Sequence, residues 1–270
     1  MPSGKKKATH KRSQVKRILN CIPSLRVNED WAFENAMDAG VLEAAVIPAS
    51  KDLRESWWKI GDQGGTGSCV GWATADSLLR WHFVKANLLA KDDLLSVRFI
   101  WMAAKETDQF TTWPTTFIEI DGTSLKAALD IARKYGVVSD AVLSFASGKL
   151  YPGDDRMFYS LASKLKIASY YNLHQNPVSW RTWLATKGPI LTRLGVDATW
   201  DNAKATQGQL DVYQPNTVRG GHAVALVGYT PDRFIVRNSW GTTQWGDQGF
   251  GYASLAYAQA AFTEAYGISL

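Results

Sequence analysis

The chain has 270 residues, is 46% hydrophobic and carries a formal net charge of +5, which is enough apolar content for a substantial core in one large domain or two small lobes. Seven positive charges and no acid fall within residues 1–20 (Lys5, Lys6, Lys7, Lys11, Arg12, Lys16, Arg17), leaving the rest of the chain at −2. The basic character therefore belongs to a tail and does not make the whole protein a nucleic-acid binder.

Two cysteines, Cys21 in the tail and Cys69 in a Gly/Ser-rich turn, do not make a disulfide framework. No apolar run approaches the ~20 residues of a membrane helix. The stretch Ile18 to Pro23 is too short and interrupted for a signal peptide, so an intracellular, cytoplasmic protein is expected.

Residues 1–27 lack apolar periodicity and are predicted to form a basic flexible arm. The seven charges of residues 1–20 suit an anionic partner, whether nucleic acid, an acidic protein surface or lipid, bound through charge alone. Residues 28–45 read as an N-terminal extension, prosegment-like, with a helix capped by Asn28 that runs through Trp31, Met37 and Val41 and is stopped or bent by Gly40 or the later Pro48. The Gly-rich turn at 61–67 leads into a buried helix from Cys69 to Trp81, on the spacing of Val70, Ala73, Ser77 and Trp81. A second helix is predicted from Ser124 to Tyr135, capped by Thr123 or Ser124 and closed by Gly136. Past Pro189 the pattern changes to strands at Ile190–Val196, Ala223–Tyr229 and Phe234–Arg237. Most of the twelve tryptophans are expected in the core.

Cys69 opens a helix, where free N–H groups and the helix dipole favour thiolate. Gln63, six residues earlier across the turn, is placed to fold back and offer an amide N–H, beside the Cys69 backbone N–H, to a developing oxyanion. His222 is a polar residue at the mouth of an apolar strand. Asn238 ends the next strand, where a hairpin brings it beside His222 to accept from the imidazole, with Trp240 shielding that bond from water. Each signal is weak alone, because an isolated cysteine or histidine is more often a core residue.

Four segments occur together in order: Asp62 to Cys69, Gly221-His222-Ala223-Val224, Asn238-Ser239-Trp240-Gly241, and Trp245-Gly246-Asp247-Gln248-Gly249-Phe250. On these the chain resembles the papain family of cysteine peptidases, from about Val46, which looks like the family's mature N-terminus, to Tyr266-Gly267-Ile268. The resemblance implies an α+β, papain-like two-lobed fold: a helical lobe (about 55–145) and an antiparallel, barrel-like β lobe (about 150–265) within a peptidase domain at 46–270, with the cleft between them. It implies catalysis by Cys69, His222, Asn238 and Gln63, with Gly122, Gly221 and Trp240 contacting substrate: Gly122 pairs with the substrate backbone and Trp240 lines the leaving-group side. A polypeptide substrate follows, and no cofactor or metal is expected, since no His/Cys/Asp cluster has metal spacing.

The sequence departs from the family where extracellular members carry cysteines. Thr66, Asp121 or its neighbours, and Tyr266 occupy those places, in keeping with a reducing compartment. Val70 follows the nucleophile and Gly221 precedes the histidine, where many relatives have Trp and Asp or Asn. Arg193, if Pro189 aligns without a gap, points into the pocket for the second residue before the scissile bond and favours an acid there. The function expected is an endopeptidase working through a thioester acyl-enzyme; the alternatives are an acyl transferase or isopeptidase using the same site, and a catalytically silent binding protein. His82 reads as a satisfied interfacial side chain, His10 and His174 carry no signal, and Cys21 is a free thiol without an assigned role.

Overall fold

The computed structural model of the chain describes residues 15–43, 45–107, 118–147 and 155–270. Its first helix is shorter than the sequence predicts. Asn28 lies inside a single 3₁₀ turn, Val27–Glu29, and the helix α1 behind it is only Phe33–Asp38. The expected cap at Asn28 is replaced by Asn35, whose Oδ1 accepts from the Ala32 N–H at 2.7 Å; such a local bond satisfies a donor the first helical turn leaves free. Val41 lies beyond the helix. A short strand, β1 (Lys51–Asp52), follows.

The Gly-rich turn then delivers the chain into α2 (69–85), a continuous helix made of Cys69–Gly71, a widened stretch with π-type bonding over Trp72–Leu79, and Arg80–Lys85. Between Cys69 and Val84 only Trp72 is partly exposed, so this stretch of α2 has no solvent-facing side and is packed on all sides. Against it lie α3 (Val97–Thr107) and α4 (Leu125–Lys134). Helix α4 starts as predicted: the Ser124 side chain accepts from the Ala127 N–H at 3.3 Å, and Leu125, Ala128, Leu129 and Ala132 form its buried stripe. Helix α5 (Asp155–Ala162) closes this half.

The second half carries the remaining strands, β2 (Ser169–Asn172), β3 (Ile190–Val196), β4 (Gln209–Leu210), β5 (Gly220–Tyr229), β6 (Arg233–Arg237), β7 (Phe250–Ser254) and β8 (Phe262–Ser269), with helices α6 (Pro177–Thr186) and α7 (Leu255–Ala261) between them. The sheet order is β2-β8-β3-β5-β6-β7-β4, with β1 added along β5. Every pairing is antiparallel except β4 with β7. The architecture is the expected α+β one, but the sheet is open: β2 and β4 are its two ends and do not meet, so the barrel-like strands do not close. Closure would need those two short strands to pair, and two residues of β4 supply too little backbone for it.

Two apolar clusters result. One gathers Trp180, Trp183, Trp200 and Tyr257 around the helix-covered side of the sheet; the other joins α2, α3 and α4 to Leu191, Ala223, Tyr266 and Ile268 on strands β3, β5 and β8. A buried charge cluster stitches the halves together. Asp76 of α2 lies 3.3 Å from Arg80 and 2.8 Å from Arg237 of β6, and Arg237 also donates to Ser77 Oγ and the Lys59 carbonyl, both at 2.6 Å. This fixes the first turns of α2 against the end of β6, and so Cys69 against Asn238.

Candidate active site

Cys69 is the first residue of α2, so its backbone N–H has no carbonyl of its own helix to bond. His222 is the third residue of β5, paired across to Leu194 of β3. Asn238 follows the last residue of β6, and the β5–β6 hairpin carries it back to the histidine. His222 Nε2 lies 2.8 Å from Asn238 Oδ1. The amide is oriented by a second contact, since the same Oδ1 accepts from the Ser239 N–H at 2.8 Å. With Nε2–H donated to Asn238, Nδ1 is the ring atom left without a hydrogen bond, available to the Cys69 thiol whose charged form the imidazole favours. Trp240 packs on the imidazole at 5.0 Å between ring centres, and Trp200 meets it edge-on at 5.6 Å, which excludes water from the histidine–asparagine bond.

Gln63 is fully buried, in the turn that leads into the Cys69 helix. Its Oε1 accepts from Ser239 Oγ at 2.9 Å, which fixes the amide's orientation, and its Nε2 donates one hydrogen to the Thr66 carbonyl at 3.0 Å. The second Nε2 hydrogen remains for a ligand. Contact with the Cys21 thiol, then the hydrogen bond and charge of His222 and the Ala223 N–H, hold the Cys69 thiol well below its ordinary range against the opposing effect of burial. Cys21 is pushed the other way, by burial first and then by its neighbour Cys69. The pair thus keeps its negative charge on Cys69.

Residues 15–27, grouped by sequence with the basic arm, run through this cleft. Arg17 lies beside Trp240, donating to Asp62 at 2.5 Å, to the Gly64 and Trp240 carbonyls at 3.0 and 3.2 Å, and to Gln244. Asn20 bonds the Ile120 carbonyl and abuts Gly122, where a Cβ would fall 2.1 Å from the Asn20 carbonyl. The Cys21 N–H donates to the Gly221 carbonyl at 3.0 Å, and a Cβ on Gly221 would fall 2.1 Å from the Cys21 carbonyl. The Ile22 N–H donates to Thr123, and the Ser24 N–H to Glu264 at 3.0 Å. Gly122, Gly221 and Trp240 thus all touch the arm, and side chains at either glycine would exclude it.

Arg193 faces the same segment. Its Nε donates to the Cys21 carbonyl at 3.0 Å, its Nη1 to Thr263 Oγ1 at 2.9 Å, and Glu264 lies 3.9 Å away. The adjoining carboxylate offsets its charge, which removes the ground for a simple acidic preference.

Residues 47–266 match the sequence model of the papain family cysteine protease. The chain belongs to the papain family. A cathepsin B-like protein, CP3, of Giardia intestinalis is 28% identical over 227 residues, 76% of this chain and 69% of that protein. Among solved structures, xylellain, a cysteine protease from Xylella fastidiosa, superposes with a TM-score of 0.75 at 21% identity, over 94% of this chain and 96% of that one. Digestive procathepsin L 3 of Tenebrio molitor larval midgut superposes at 0.60 with 19% identity, over 84% and 72%. At these identities the superpositions show the papain-like fold. The disulfide positions of extracellular papain-family members hold other ties here: Thr66 Oγ1 donates to the Gln63 carbonyl at 2.7 Å, and Tyr266 reaches Asp30 of the N-terminal extension at 2.8 Å.

Sequence reading missed the arm's contacts, namely Arg17, Asn20, Cys21 and the partner of Arg193, Glu264. The one signal available was the short apolar group Ile18, Leu19, Cys21 and Ile22 within an otherwise basic tail. Of the residues expected to bind an anionic partner, 1–14 lie outside the described residues, while Arg17 is engaged with Asp62. No helix among the described residues is long and apolar enough to cross a membrane.

Proposed function

We propose that this papain-family protein is a cysteine endopeptidase acting on polypeptides through Cys69, His222, Asn238 and Gln63, and that its own N-terminal segment keeps it latent. The observation that carries the reading is the His222–Asn238 contact at 2.8 Å, with the other side of the imidazole turned to a thiol whose charged form is favoured. The Cys69 sulfur attacks the peptide carbonyl as His222 takes its proton. The Cys69 N–H and the unused Gln63 amide hydrogen bind the oxyanion. His222 returns the proton to the leaving amine, and water releases the acyl group by the same route.

The arm explains latency by occupancy and direction. It passes from Trp240 to Gly122 and Glu264, and with Trp240 on the leaving-group side a substrate would run the opposite way. Its peptide groups therefore meet Cys69 with reversed polarity, out of line for attack. The cytoplasm, where such a thiol stays reduced, is the compartment this reading fits.

The test is cleavage of a peptide library by wild type and Cys69→Ala, together with labelling by an epoxide thiol probe. Cleavage and a label on Cys69 that both vanish in the variant are expected. Unchanged cleavage by Cys69→Ala, or no cleavage by a wild type from which residues 1–27 have been removed, would overturn the reading.

A further inference from the structure

The arm carries the chain's second thiol to the nucleophile. Cys21 is 2% exposed and lies in the same buried cluster as Cys69, and the two thiols shift each other's ionisation in opposite directions. Its backbone is clamped on both sides, N–H to the Gly221 carbonyl and C=O to Arg193 Nε, each at 3.0 Å, with the Ile22 N–H on the Thr123 carbonyl at 3.2 Å. On the arm's side the clamp uses main-chain atoms only, so any small side chain at position 21 would obstruct the cleft equally well. Obstruction therefore does not account for a sulfur there. Two buried sulfurs in one cluster, one of them favoured as thiolate and the other fixed by its backbone beside Gly221, form the arrangement that thiol–disulfide exchange requires.

We infer that Cys21 and Cys69 form a redox site, in which a small-molecule disulfide converts the two thiols to a Cys21–Cys69 disulfide that locks the arm across the cleft and a thiol reductant releases it. The inference rests on the reading of Cys69 as the nucleophile. Cys69 is fully buried beneath the seated arm, so the arm first lifts to admit the oxidant RSSR. The Cys69 thiolate attacks one sulfur of RSSR, forming a mixed disulfide and expelling RS⁻. As the arm reseats, the Cys21 sulfur loses its proton and attacks Cys69 Sγ, and a second RS⁻ leaves. The Cys21 proton is taken up by one of the two released thiolates. In total the two protein sulfurs give up two electrons, RSSR gains them, and one RSH and one RS⁻ result. The lock makes latency covalent: loosening the non-covalent anchors opens the reduced protein and leaves the oxidised one closed.

The full-length protein is incubated with glutathione disulfide at neutral pH, then digested without reductant for mass spectrometry, with peptide cleavage and iodoacetamide labelling followed in parallel. The expected product is a monomer lighter by two hydrogen atoms, containing a linked Cys21–Cys69 peptide and taking no label at Cys69; dithiothreitol restores label and cleavage together. Cys21→Ser, with its fold checked by circular dichroism, should form no linked peptide and accumulate a glutathionyl group on Cys69. Wild type that accumulates the same adduct to the same extent, without the linked peptide, would overturn the redox site. A linked peptide in the full-length protein, together with no cleavage by the reduced protein lacking residues 1–27, would uphold the redox site and overturn the peptidase reading instead.

Discussion

Replacing Arg17 by alanine tests whether the arm is held as the structure describes. The Arg17 side chain is 10% exposed, bonds Asp62, two backbone carbonyls and Gln244, and lies 5.6 Å from the Trp240 ring centre. Asp62 is 44% exposed, so the ion pair is screened and contributes about 1 kcal/mol at most. The carbonyl bonds and the ring contact together add about the same, because water replaces most of what they provide. A loss of about 2 kcal/mol raises the population of arm-open molecules about 30-fold. Iodoacetamide reaches Cys69 only in that open population, so its rate under reducing conditions reports the change directly. The Arg17→Ala rate should exceed wild type by about 30-fold, and Arg17→Lys should fall between the two, since an ammonium cannot span the same acceptors. Equal rates in wild type and Arg17→Ala, with the thermal transition unchanged, would refute the placement of the arm.

Gln63→Ala should lower kcat by about 10²-fold or more through the lost oxyanion donor, whereas Asn238→Ala should retain partial activity because it orients the base without touching substrate; steady-state peptide cleavage separates the two. Since the Cys69 thiol is held below its ordinary range and Cys21 above, iodoacetamide should still modify Cys69 rapidly at mildly acidic pH in Arg17→Ala, and Cys21 only in alkaline solution; peptide mapping reads both. Asp76→Ala leaves the buried Arg80 and Arg237 without their shared carboxylate and should cost about 3–5 kcal/mol, seen as a Tm lower by about 10 °C or more. Burial, opposed in part by a hydrogen bond to the Pro189 carbonyl, pulls the His82 imidazole from 6.5 down to about 4. The unfolded chain therefore binds this proton first: the full contribution is present above pH 6.5 and is lost as pH falls to about 4, about 3 kcal/mol in all. His82→Gln should flatten that part of the Tm–pH curve.

The arrangement of the candidate residues was legible in the sequence because it is carried by short local patterns. A Gly-rich turn before an apolar helix places Cys69 at a helix start, and a two-strand hairpin brings Asn238 to His222 whatever the rest of the chain does. Strand β3 and the cap at Ser124 were readable for the same reason: burial pattern and capping act within a few residues. The helix expected from Asn28 failed because the polar groups of this stretch are tied to the strands instead: the Trp31 carbonyl accepts the Asn172 N–H of β2, and the Tyr266 hydroxyl donates to Asp30, while Trp31 and Met37 stay exposed.

By itself, then, the sequence determined the order of the candidate site residues, the α+β class and the family. Only the tertiary structure decided that the open sheet leaves β2 and β4 unjoined, that Glu264 sits beside Arg193, and that the basic arm threads the cleft with Cys21 against Cys69. These depend on pairings across tens to hundreds of residues, such as Arg17 with Gln244 and Ser24 with Glu264. Such contacts are made by backbone groups and single side chains with no periodicity of their own, so nothing in the local pattern of the arm distinguishes a strap seated in a cleft from a tail in water.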